Sequence, residues 1–180
     1  VGEKYPNRFI TCGMVNFFQP NLPLQGQILI DSGFKGLAIP GHRLLTDELR
    51  IQLNSQEMIK LFKQMEERDA FLSITLADGK QQTEELRDVI RTCPRLRIAI
   101  GHLCMANPPA TPCWENEDWK RQVMLARYDN VFIETGGITW LYNSEFYPYP
   151  SAVRAIKEAA GLVGFDKLMW GSDYPRTITR

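Results

Sequence analysis

Six short apolar runs, rich in β-branched and aromatic residues, alternate along this chain with amphipathic stretches of helical spacing. The runs are RFITCGMVN (8–16), FKGLAIP (34–40), FLSITLA (71–77), LRIAIGH (96–102), NVFIETG (130–136) and KLMWGSD (167–173). Their starts lie on average about 32 residues apart, the length of one βαβ unit. Their apolar character is near-continuous, as a parallel strand covered on both faces requires. The order predicts an α/β fold, six parallel strands joined by five helical crossovers, across a single domain at 1–180.

The helices are marked unequally. Asn54 and Glu57 form an N-x-x-E start before Met58, Leu61, Phe62 and Met65, which share one helical face. Leu86, Val89, Ile90 and Cys93 repeat that spacing until Pro94 stops it. Ser151 reads as the N-cap of a helix carrying Ala152, Ile156, Ala159 and Val163, with Gly164 at its end. Trp119, Val123 and Ala126 mark a shorter helix. The first crossover, with Pro20, Pro23 and Gly26, is marked least.

Two architectures accommodate this order. An open doubly wound sheet is complete with six strands. A (β/α)8 barrel needs eight strands and ~250 residues, so the chain would be a barrel lacking two units. The strand ends carry Asn16, His42, Asp78, His102, Glu134 and Asp173, as a barrel mouth does. No strand is followed by G-x-G-x-x-G or by G-x-x-x-x-G-K-[ST], the phosphate-binding signals of open sheets. The barrel is the expectation.

Charge narrows the partners. Lys and Arg number 21 and so do Asp and Glu, which leaves no net field for nucleic acid or an anionic membrane. No apolar run approaches the ~18 residues needed to span a bilayer. Cys12, Cys93, Cys104 and Cys113 form no C-x-x-C pair, which fits free thiols in a reducing, cytoplasmic setting better than a zinc or disulfide framework. A small-molecule substrate is expected, and a homo-oligomer is allowed.

Asp173, in MWGSDYP, is the first candidate for chemistry: a carboxylate at a strand tip can take a proton from water or ligate a divalent metal. Capping the following turn is its alternative role. His102 follows Gly101 at another strand end and can shuttle a proton, polarise a carbonyl or bind metal; a satisfied, half-buried histidine is the alternative. His42, Arg176 and Trp140 are candidates for holding substrate, and Arg180 is a weaker one. Glu134 stands at a strand end with its facing undetermined. The aromatic segment ITWLYNSEFYPYP (138–150) suits either a lid or local packing, and GHLCMANPPATPCW (101–114) is a second long loop at the same end.

The segments RFITCGMVN, GFKGLAIPG, CPRLRIAIGHLCMA, NVFIETGG and GFDKLMWGSDYPR together resemble the amidohydrolase-related family. This branch of the amidohydrolase superfamily holds amino-carboxymuconate-semialdehyde decarboxylase-like enzymes and lactonase-like hydrolases. The resemblance runs from about Tyr5 to Arg176. It implies a (β/α)8 barrel in which the six strands are the third to the eighth, the first two strands and last helix being absent. It matches His102 to the sixth-strand histidine and Asp173 to the eighth-strand aspartate that serves the attacking water or a metal. The family's first-strand H-x-H metal pair does not occur here, so one divalent metal such as zinc is expected only in an intact protein. The segment LSITLADGK (72–80) also lacks the fifth-strand histidine usual in metal-dependent members. Lactonase-like members work without metal, and they imply hydrolysis of a lactone or cyclic ester with Asp173 as general base. The same scaffold implies, alternatively, metal-dependent decarboxylation of an aromatic or muconate-like acid. A degenerate, non-catalytic binding barrel is the third reading.

Overall fold

Strand β1 (Cys12–Gly13) pairs with β2 (Gly36–Pro40), then follow β3 (Phe71–Thr75), β4 (Arg97–Ile100), β5 (Val131–Glu134) and β6 (Leu168–Met169). All neighbours are parallel, and the order across the sheet is the order along the chain. This comes from a computed structural model, which describes residues 4, 5, 8–105 and 112–179. A doubly wound sheet reverses direction at a switch point. Here every crossover steps the same way, which is the winding of a barrel, and the open alternative is removed.

The crossovers are α1 (Leu22–Asp31), α2 (Gln56–Glu67), α3 (Gln81–Thr92), α4 (Glu117–Val123) and α5 (Pro150–Val163). The register explains how they bind the sheet. Leu37, Leu72, Ile98 and Val131 form one row across the strands, and Ile39, Ile74, Ile100 and Ile133 the next. All eight are buried beneath the helices. Each such side chain contributes about 1.5–3 kcal/mol on leaving water. The alternate row, Ala38, Ser73, Ala99 and Phe132, looks to the other face, the lumen side. Glu134 pairs with Met169 on that same side.

Met58, Leu61, Phe62 and Met65 are fully buried on α2, as their spacing requires. Its cap is Ser55 rather than Asn54: the Ser55 hydroxyl accepts the Met58 N–H, while Glu57 reaches out to accept the Leu22 N–H at 3.0 Å. Ser151 likewise is not the cap of α5. Tyr149 takes that place in a left-handed conformation with Pro150 in the first turn, and the Ser151 N–H goes to Glu145 instead. The weakly marked first crossover is a regular helix that packs on α2. The two outermost runs, nine and seven residues long in the sequence, keep only two paired residues each, because each has a partner strand on one side alone.

One backbone feature stands out beside β4. His102, Leu103, Cys104 and Met105 all have positive φ, from 48° to 57°, forming a left-handed turn. Each such residue costs roughly 1–2 kcal/mol. Burial of Leu103 and Cys104 and the hydrogen bond from the Trp119 indole to the Leu103 carbonyl (2.9 Å) hold it in place.

Candidate active site

The carboxyl ends of β2 to β6 converge on one mouth. His42 follows β2 directly, and its Nδ1 lies 3.2 Å from the Thr75 hydroxyl at the end of β3. His102 follows β4, with its ring half-buried and Nδ1 3.4 Å from the Gly136 carbonyl oxygen. A carbonyl only accepts, so in this contact Nδ1 is the donor. Trp140, in the short helix Ile138–Leu141 after β5, meets His102 edge to face with ring centroids 5.2 Å apart. Its indole N–H donates to Asp173 Oδ2 at 2.6 Å, and the guanidinium of Arg176 stacks on its ring at 4.0 Å. Four of the residues expected from the sequence to act together, His102, Trp140, Asp173 and Arg176, are therefore joined by contacts, while His42 stands apart on Thr75. Arg180 and residues 106–111 of the long loop lie outside the described residues.

Glu134 completes the group, and the sequence did not settle its facing. Its half-buried carboxylate lies among Gly101, Gly136 and Gly171, and accepts the His102 backbone N–H at 3.4 Å. A Cβ at Gly136 or Gly171 would fall on Glu134 Oε1. Two glycines thus make room for an acid. The period-2 position of Glu134 opposite Val131 and Ile133 was the available signal. By contrast, Asn16 accepts the Phe18 N–H in a turn, and Asp78 is exposed.

The loops that carry these residues are tied from below. Buried Gln82 accepts the Ala77 N–H at 2.7 Å and donates to the Gly41 carbonyl at 2.6 Å, while Gln122 donates to the Ala77 carbonyl at 2.7 Å. Two amides thereby clamp the segments leaving β2 and β3. Nothing in the periodicity distinguished these glutamines from surface residues.

Electrostatics sorts the titratable groups. Burial, then Arg43 and then His102 lower the proton affinity of His42 below its ordinary value. Burial pushes the Cys93 thiol up to about 11 and the Cys104 and Cys113 thiols up as well, so they are poor thiolates. All four cysteines are free. Among the described residues no three His, Cys, Asp or Glu side chains are grouped to hold a metal ion. Asp173 Oδ2 is engaged by the indole and His102 Nδ1 faces a carbonyl. These residues do not by themselves fit a metal, and a bound one would need donors beyond them.

The aromatic segment 138–150 divides its work. Leu141 and Tyr142 are buried, while Phe146 and Tyr147 face solvent. No described helix is long and apolar enough to cross a membrane.

A family model described as amidohydrolase matches residues 5–179, and the chain belongs to that family. No curated protein sequence matches it significantly. Among solved structures it is similar to an amidohydrolase from Burkholderia multivorans with bound zinc (13% identity, TM-score 0.70, covering 98% of this chain and 62% of that one). It is also similar to 5-carboxyvanillate decarboxylase from Novosphingobium aromaticivorans, solved with manganese and a nitrobenzoic acid (19% identity, TM-score 0.65, 98% and 57%). A third is a candidate 2-pyrone-4,6-dicarboxylic acid hydrolase from Pseudomonas putida (18% identity, TM-score 0.66, 97% and 60%). The chain thus spans about three fifths of the length of these structures. At these identities the likeness establishes the shared barrel fold.

Proposed function

We propose that this chain carries the substrate-activating mouth of a hydrolase acting on a lactone or similar cyclic ester. The observation that supports the reading most is the joined set Asp173–Trp140–His102 with Arg176 stacked beside it. Asp173 takes a proton from water, and the oxygen so activated adds to the ester carbonyl. His102 keeps Nδ1 toward the Gly136 carbonyl and steadies the developing oxyanion. The ring C–O bond then breaks, and the proton held on Asp173 passes to the leaving oxygen. The product is a ring-opened hydroxy acid, and Asp173 is a carboxylate again. Arg176, His42 and Trp140 hold the substrate, Arg176 through a carboxylate or hydroxyl group.

The likeness to a decarboxylase supports a second reading, loss of CO2 from an aromatic acid at the same mouth. There a divalent metal with ligands beyond this chain's described residues would hold the acid, and Asp173 would handle the proton. A panel of lactones and aromatic carboxylates, run on the protein and its Asp173→Asn variant, separates the two. Turnover of a lactone that Asp173→Asn loses by at least about a hundredfold is the expected result. Full activity in that variant, or release of CO2 without any lactone opening, would overturn the hydrolase reading.

A further inference from the structure

We propose that Trp140 is the positioning residue of this mouth: its indole N–H ties down Oδ2 of Asp173, leaving Oδ1 as the oxygen that meets the water. The inference rests on the reading of Asp173 as general base. Asp173 needs such a restraint. It sits on left-handed backbone (φ 53°), just beyond a strand with only two paired residues, between exposed Trp170 and exposed Tyr174. Among the described residues, the indole at 2.6 Å supplies the side-chain hydrogen bond its carboxylate receives. A neutral donor on one oxygen fixes the plane of the carboxylate, and with it the direction of the free lone pairs.

The indole itself is held rigidly. The Trp140 and Leu141 N–H groups both donate to the Gly137 carbonyl, at 3.1 and 2.9 Å, and Leu141 and Tyr142 anchor the segment in the core. Gly137 has φ +82°, and a Cβ there would meet Trp140 Nε1 at 2.5 Å and His102 Nδ1 at 3.1 Å. The close seating of indole and imidazole depends on that missing methyl group. One side of the Trp140 ring system meets His102 and its face carries Arg176, so a single side chain sets the base, the imidazole and the guanidinium relative to one another.

Trp140→Phe keeps an aromatic ring beside His102 and Arg176 and removes the N–H together with the five-membered half of the indole. With the lactone that the panel identifies, kcat should fall about a hundredfold, and by more than KM rises, because misaligned groups lose rate rather than binding. The chain has four tryptophans, so a nitrogen-15 spectrum holds at most four indole signals, and the one lost in Trp140→Phe is assigned. In Asp173→Ala that signal should move upfield and exchange faster with solvent, a signature a merely space-filling tryptophan would not give. The proposal is overturned if the signal is unchanged in Asp173→Ala, or if Trp140→Phe turns over as the wild type does. Full turnover in Asp173→Asn strikes the general-base reading itself, and the indole signal reports the geometry independently of it.

Discussion

His42 and His102 are the two imidazoles of the chain, and they stand within electrostatic reach of each other across Thr75. Burial, then Arg43 and then His102 disfavour the charged form of His42, so its folded pKa lies below 6.5. The unfolded chain then binds that proton more tightly than the folded one. The stability this group contributes is complete above the unfolded value and is lost as pH falls through the lower, folded one. A proton NMR titration should place the His42 midpoint below 6.5, and His42→Asn should flatten the acid side of the stability profile. A midpoint above 6.5 would contradict this. The candidates His102 and Asp173 were readable because a polar residue closing an apolar run has few structural uses. Glu134 was harder to read: its importance lies in three glycines from three different strand ends, and no linear pattern shows that they meet.

Helix α2 ends in a way that invites a test at the level of the element. Ala70 N–H bonds the Met65 carbonyl at 2.8 Å and Asp69 N–H the Glu66 carbonyl at 3.2 Å, the paired bonds of a Schellman motif. The residue at its left-handed position is Asp69 (φ 53°), where glycine is the usual occupant. Its ion pair with Arg97 at 3.0 Å is exposed and worth little. Asp69→Gly should therefore stabilise the protein by about 1 kcal/mol, measured by urea unfolding. An equal loss would show that the ion pair outweighs the backbone. Helix positions were readable from their buried faces, whereas caps were not. Asn54 and Ser55 are both good caps, and which of them turns depends on Asn54 being drawn away to Asp88 at 2.9 Å.

Among the described residues the sheet has two unpaired sides. Around β1 and β6 lie exposed Ile10 (75%), Met14 (60%), Phe165 (70%) and Trp170 (84%), beside strands with free backbone donors and acceptors. Open edges of this kind recruit further strands. The 180-residue polypeptide alone should associate as its concentration rises, and sedimentation velocity should show its mass climbing; a monomer at every concentration would oppose this. The winding was readable because βα units of constant length leave few topologies. The shortness of the outer strands was not, because strand length depends on neighbours that lie outside the run itself.

The neighbour-only order of the strands also bears on how the molecule comes into being. Cys12 pairs with Gly36, Gly36 with Phe71 and Phe71 with Arg97, so each pairing closes a loop of roughly thirty residues. Among the described strands, none has to wait for a partner made much later. A chain emerging from the ribosome can add one βα unit at a time to a strand already laid down. Assembly would run as a zipper from β1 towards β6, and the mouth, which draws on the ends of β2 to β6, would be the last thing finished. Asp173, almost the last of these residues to be synthesised, would enter a site whose histidines and tryptophan are already in place.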